Sequence, residues 1–135
     1  MKVRILFITD NFLPHWGGSR VYYHNICKNL PRGSVTVLTG LGKGGAEFDK
    51  KQDYSIYRIP VGKIFPEGSQ MRDLCTCIAL IFHGVILCLK VRPDVMHCGE
   101  ILPTGLAGLV LNRLFRIPFI IHTHGEDVGF LEKLR

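Results

Sequence analysis

Five short apolar runs, each followed by small or polar residues, constrain this chain more than any single motif. They are Ile5–Ile8 with Val3 ahead of it, residues 34–39, residues 54–60, residues 95–98 and residues 117–122. Most are continuous rather than alternating, as in strands buried on both faces. Between them the apolar period lengthens to that of a helix. Val21, Tyr23, Ile26, Cys27 and Leu30 mark the first helix, residues 71–90 a long one, and Leu106, Leu109, Val110 and Leu114 one face of a third. Strands alternating with helices predict an α/β, Rossmann-like fold: a mostly parallel sheet with helices on both faces. Right-handed crossovers put the fourth strand beside the first. At 135 residues and 47% apolar, the chain is one domain (residues 1–135) with a real core, and disorder is excluded.

Other segments are less regular. Residues 40–53, rich in Gly, Lys and Asp, read as a loop with no clear helix. Pro103 suits a first helical turn. Residues 74–89 are apolar nearly all round, yet they carry Thr76, His83 and Gly84. They fall short of the roughly 20 residues of a membrane span. The reading is a crossover helix packed on the sheet, with an outer face left for a partner or a membrane surface. The five cysteines are odd in number and irregularly spaced, which reads as reduced core thiols of a cytoplasmic protein. Lys2 and Arg4 precede an apolar run that Asp10 interrupts too soon for a signal peptide. The net charge of +6 suits an anionic ligand or an acidic membrane surface. Its scattered basic residues form no aromatic-interleaved stripe, so nucleic acid is not an expected partner.

In open parallel sheets, ligands bind at the carboxyl ends of the strands where the winding reverses. Three polar clusters fall there. The first is the loop from Asp10 to Gly18, where the pair Gly17-Gly18 opens a helix. Unpaired N–H groups and the helix dipole there favour phosphate or another anion, and the missing Cβ atoms allow close approach. The spacing is neither G-x-G-x-x-G nor a Walker loop. His15 and Trp16 in this loop, and Arg20 just inside the helix, are candidate substrate contacts. The second cluster is His97 to Glu100. The third runs from His122 to Asp127, where His124 can donate to a sugar hydroxyl or a developing charge. Glu126 and Asp127 suit a helix start as well as a site. His97, His122 and His124 lack a zinc-motif spacing, so no metal is expected.

Three of these elements resemble the family 4 (group 1) retaining glycosyltransferases. They are the first strand running into Thr-Asp-Asn-Phe-Leu-Pro-His-Trp-Gly-Gly, the segment Arg92-Pro93-Asp94-Val95-Met96-His97, and Ile117-Pro118-Phe119 leading into His122-Thr123-His124-Gly125-Glu126-Asp127. The resemblance implies the N-terminal, acceptor-side half of a GT-B fold. It implies Gly17 and Gly18 at a donor diphosphate, His124 at the donor sugar, and Asp127 near sugar or acceptor. It also implies catalysis without metal or other cofactor, a nucleotide-sugar donor and an unspecified acceptor. The family's C-terminal donor-binding domain has no counterpart in these residues. The domain is therefore expected to be cut short and inactive alone, needing that domain or a partner chain. Two alternatives from other classes are a non-catalytic interaction module and a metal-dependent hydrolase using His97, His122 and His124. The apolar 74–89 helix adds the expectation of peripheral contact with the inner face of a membrane.

Overall fold

The computed structural model describes residues 2–61, 65, 66, 68–125 and 129. It contains β1 (Ile5–Ile8), α1 (Gly18–Asn29), β2 (Val35–Gly40), α2 (Gly45–Asp49), β3 (Ser55–Ile59), α3 (Gln70–Val91), β4 (Val95–Cys98), α4 (Leu106–Phe115) and β5 (Phe119–Ile121). The five strands form one sheet in the order β3-β2-β1-β4-β5, and every pairing is parallel. Ile5 registers with both Val35 and Val95, and Ile8 with both Leu38 and Cys98. The winding therefore reverses between β1 and β4, as the crossover rule predicts. This is a Rossmann-like α/β arrangement.

Alternation along β1 divides the core in two. Leu6 and Ile8 point to the face covered by α3 and α4, where they join Leu38, Met96, Leu80, Leu87 and Leu111. Phe7 points to the other face and packs with Tyr23 and Cys27 of α1, Phe12, Val37 and Tyr54. Both layers are continuous, which is why the strands read as unbroken apolar runs.

The long helix α3 starts at Ser69, whose side chain accepts from the backbone N–H of Arg72 at 3.2 Å. It ends where Arg92 turns left-handed ahead of Pro93. By length and composition it could cross a membrane. Here its inner face, with Thr76, Cys77, Leu80, Gly84, Leu87 and Cys88, is buried. Its outer face exposes Leu74, Ile78, Phe82, Ile86 and Leu89 in a line.

The sequence reading needs correction at three places. Residues 40–53 are not all loop, because α2 forms within them. Arg58 draws that segment together by donating to Asp49 at 2.8 Å, in an ion pair where its side chain is almost fully buried. Pro103 lies not in the first turn of α4 but in a kinked turn over Ile101–Gly105 that precedes it. In α4 itself, Leu106, Leu109 and Leu114 face solvent, and Ala107, Gly108 and Leu111 are buried. The helix is apolar on two faces, and the smaller residues win the core because α4 lies so close to the sheet. A Cβ on Gly108 would come within 2.4 Å of Cys98 Sγ.

All five cysteines are unpaired. Burial pushes the Cys27 and Cys98 thiols up to about 12 and that of Cys88 to about 11, so these are packing groups and not nucleophiles.

Candidate functional site

The carboxyl ends of β1 and β4 and the segment after β5 meet at one rim of the sheet. A cleft of about 550 Å³ opens there, lined by Asp10, Asn11, Gly17, Gly18, Ser19, Arg20, Glu100 and His124. Gly17 and Gly18 thus face the same space as His124. A second pocket of about 360 Å³, lined by Gly18, Ser19, Tyr22, His122 and His124, adjoins it.

Gly17 precedes α1 with an extended backbone, φ 175° and ψ 150°, and no side chain caps the helix. The fold does not require glycine here. That backbone is open to any residue, a Cβ on Gly17 would press only on the movable Arg20 side chain at 3.2 Å, and one on Gly18 would meet nothing within 4 Å. What the glycines leave is a helix N-terminus with bare N–H groups against the cleft. Arg20 lines the cleft as well, and its guanidinium donates to the Trp16 carbonyl at 2.9 Å.

His124 is held from below. The Tyr23 ring is fully buried, and its hydroxyl bonds both the Gly99 carbonyl and His124 Nε2. The carbonyl can only accept, so the single hydroxyl proton goes to Gly99. Nε2–H then donates to the tyrosine oxygen, which fixes the orientation of the ring.

Glu100 forms the cleft's acidic wall with Asp10. Its Oε1 lies 2.7 Å from Thr9 Oγ and its Oε2 3.1 Å from Thr104 Oγ. Thr9 Oγ also lies 3.0 Å from the Asn11 carbonyl, and Thr104 Oγ 2.8 Å from the carbonyl of Glu100 itself. Two hydroxyl protons therefore serve four acceptor oxygens, and a proton on Glu100 supplies a further donor. Electrostatics agree. Burial first, then the charge of Asp10, push the Glu100 carboxyl up to about 8, against the pull of the two threonine hydroxyls. Burial also raises Asp10, opposed by its bond from Asn11 and by the charges of Arg20 and Arg72.

The other expected residues are not all brought together. His15 is exposed and lines a separate pocket with Pro14, Lys43 and Glu47. The Trp16 side chain is 80% exposed and is not among the residues lining the cleft. His97 lies below the rim, its ring 4.5 Å from Phe7 and 5.7 Å from His122, with Nε2 buried and unbonded among the described residues. Burial, then the charge of His122, lower its pKa. His97, His122 and His124 stack at tilted angles, and among the described residues no three His, Cys, Asp or Glu converge where an ion could sit. Glu126 and Asp127 lie outside the described residues.

Sequence reasoning did not single out Asp10, Asn11, Ser19 or Tyr22 as contacts. Asp10 could have been found, since it ends the first strand at the switch point. Tyr22 could not, because adjacent tyrosines on a helix do not declare which one faces a pocket.

No curated relative matches the chain. The model of the glycosyl transferase 4-like domain matches residues 17–134, and the chain belongs to that family.

Proposed function

We propose that this domain is the acceptor-side half of a retaining glycosyltransferase that takes a sugar from a nucleotide-diphosphate donor. The observation that carries the reading is the glycine pair. A Cβ on Gly18 would meet nothing and one on Gly17 only the Arg20 side chain, yet the two glycines open a helix N-terminus that no side chain caps, in a cleft that His124 also lines. Transfer leaves a diphosphate, and fixed N–H donors stabilise that charge without reorganising. His124, oriented by Tyr23, offers an imidazole to a sugar hydroxyl. Asp127 stands two residues after Gly125 and is proposed to serve sugar or acceptor. Neither metal nor other cofactor enters this scheme.

The cleft is one wall of a site. A donor-binding domain, in the same polypeptide or a partner chain, supplies the nucleotide contacts, and the chain alone is inactive. The exposed stripe of α3 has Lys90 and Arg92 at its C-terminal end, which suits peripheral contact with an acidic membrane from the cytoplasmic side.

Titration of the isolated chain tests this. Inorganic pyrophosphate should shift the NMR signals of Gly17 and Gly18, and a uridine or guanosine diphosphate sugar should bind no better than millimolar. Silence at the glycines would sink the diphosphate assignment. Micromolar binding of the nucleotide sugar would sink the half-site reading.

A further inference from the structure

We infer that Tyr22 and His122 form a platform for a hydroxylated six-membered ring, in the pocket that adjoins the glycine mouth. The inference rests on the transferase reading and adds a subsite to it. Tyr22 and Tyr23 are neighbours on α1, but Tyr23 is fully buried and Tyr22 remains 45% exposed. The Tyr22 ring lies 5.0 Å from that of His122 and stands edge-on to His124 at 6.5 Å. His122 and His124 are themselves 5.0 Å apart.

This wall is preorganised from beneath. The buried Tyr23 ring supports His122 edge-on at 6.1 Å and His124 at 5.3 Å, and His97 backs His122. The backbone N–H of His122 donates to the Cys98 carbonyl at 2.8 Å, which anchors the main chain beneath the ring. The pocket brings together Tyr22, the two histidines His122 and His124, Ser19 and Gly18. A pyranose or cyclitol presents the complementary surface: a face of C–H groups and a rim of hydroxyls. Apolar planes with a few convergent polar groups are how such ligands are held. Because Gly18, Ser19 and His124 line both compartments, a ring on Tyr22 lies next to a phosphate at the glycine mouth.

The same ring chemistry reaches the platform from an acceptor or from the donor's own sugar. NMR of the chain, titrated separately with methyl α-D-glucopyranoside, methyl α-D-mannopyranoside and glucose 1-phosphate, distinguishes them. Shifts of the Tyr22 and His122 ring signals with a methyl glycoside support the platform as an acceptor subsite. Shifts with glucose 1-phosphate alone support it as a donor-sugar subsite. In either case Tyr22→Ala should weaken binding about tenfold, the scale of one aromatic contact. Tyr22→Phe should stay near wild type, and so should Tyr57→Ala, which alters a tyrosine of comparable exposure on β3. If no ring probe shifts Tyr22 while pyrophosphate still shifts Gly17 and Gly18, the platform is overturned and the diphosphate reading stands. If all probes are silent, both are overturned. Unchanged binding in Tyr22→Ala also overturns the platform.

Discussion

Two regions of this domain, the packed α4 and the start of α1, use glycine for opposite purposes. Under α4, Gly108 is there because the structure has no room: a Cβ would press to 2.4 Å from Cys98 Sγ and 3.2 Å from the Phe119 ring. Where α3 crosses α4, Gly84 plays the same part against Leu111 at 2.6 Å. At the mouth of the cleft, Gly18 has nothing within 4 Å. The first pair is explained by packing alone. The second is not, and a residue the fold does not need is evidence that something else does.

The sharpest way to break this contrast is Gly108→Ala. Overpacking against a short buried side chain and a ring should cost about 2 kcal/mol or more in urea unfolding, outweighing the helix-propensity gain of about 1 kcal/mol. A neutral result would mean that α4 moves freely on the sheet, and the packing half of the comparison would fail.

The next test concerns the acidic wall. The folded-state pKa of Glu100, about 8, lies above its unfolded value of about 4.3. Between those values the folded state binds the extra proton, so stability should fall as pH rises through that window and level off above it. Asp10, whose carboxyl is raised as well, titrates together with Glu100 and loses stability in the same direction. Glu100→Gln should flatten that part of the pH profile of thermal unfolding. A wild-type profile already flat between pH 5 and 8 would show that Glu100 is ionised at neutrality.

Gly18→Ala sharpens the comparison from the open side. Stability should change by no more than about 0.5 kcal/mol, since the new methyl enters open space. Pyrophosphate affinity, measured by calorimetry, should fall about tenfold as the methyl group blocks approach to the helix N-terminus. A loss of stability without loss of affinity would make Gly18 a structural residue after all.

The smallest expected effect is at the outer face of α3. Phe82 is exposed, so Phe82→Glu should leave unfolding within about 0.5 kcal/mol of wild type. Co-sedimentation with phosphatidylserine vesicles should drop about threefold, and it should do so less in neutral lipid. Equal sedimentation of both proteins would remove the membrane reading.

The places where sequence reasoning succeeded and failed have physical causes. Strand positions were legible because β1 and β2 are buried on both faces and read as nearly continuous apolar runs, while the edge strand β3 alternates between exposed and half-buried residues. The order of strands followed from crossover handedness. Gly17, Gly18 and His124 were legible as a group because strand ends in a parallel sheet share one rim. The packed face of α4 was hidden because apolar periodicity marks both of its faces, and only the closeness of the sheet chooses Ala107, Gly108 and Leu111 over Leu106, Leu109 and Leu114. The roles of Thr9 and Thr104 at Glu100 were hidden for another reason. Thr9 is 91 residues away in sequence from the carboxyl it contacts, and no local pattern spans that distance.

The amino-acid sequence by itself determined the strands, the three longer helices, the parallel winding and the rim at which the cleft opens. Those follow from periodicity, chirality and chain connectivity, which are local or nearly so. Tertiary structure alone decided that Asp10 and Glu100 share a wall, that Tyr23 locks His124 and that Tyr22 stays at the surface beside His122. Each depends on which side chains from distant strands arrive within a few ångströms of one another, and distance in space is not written in distance along the chain.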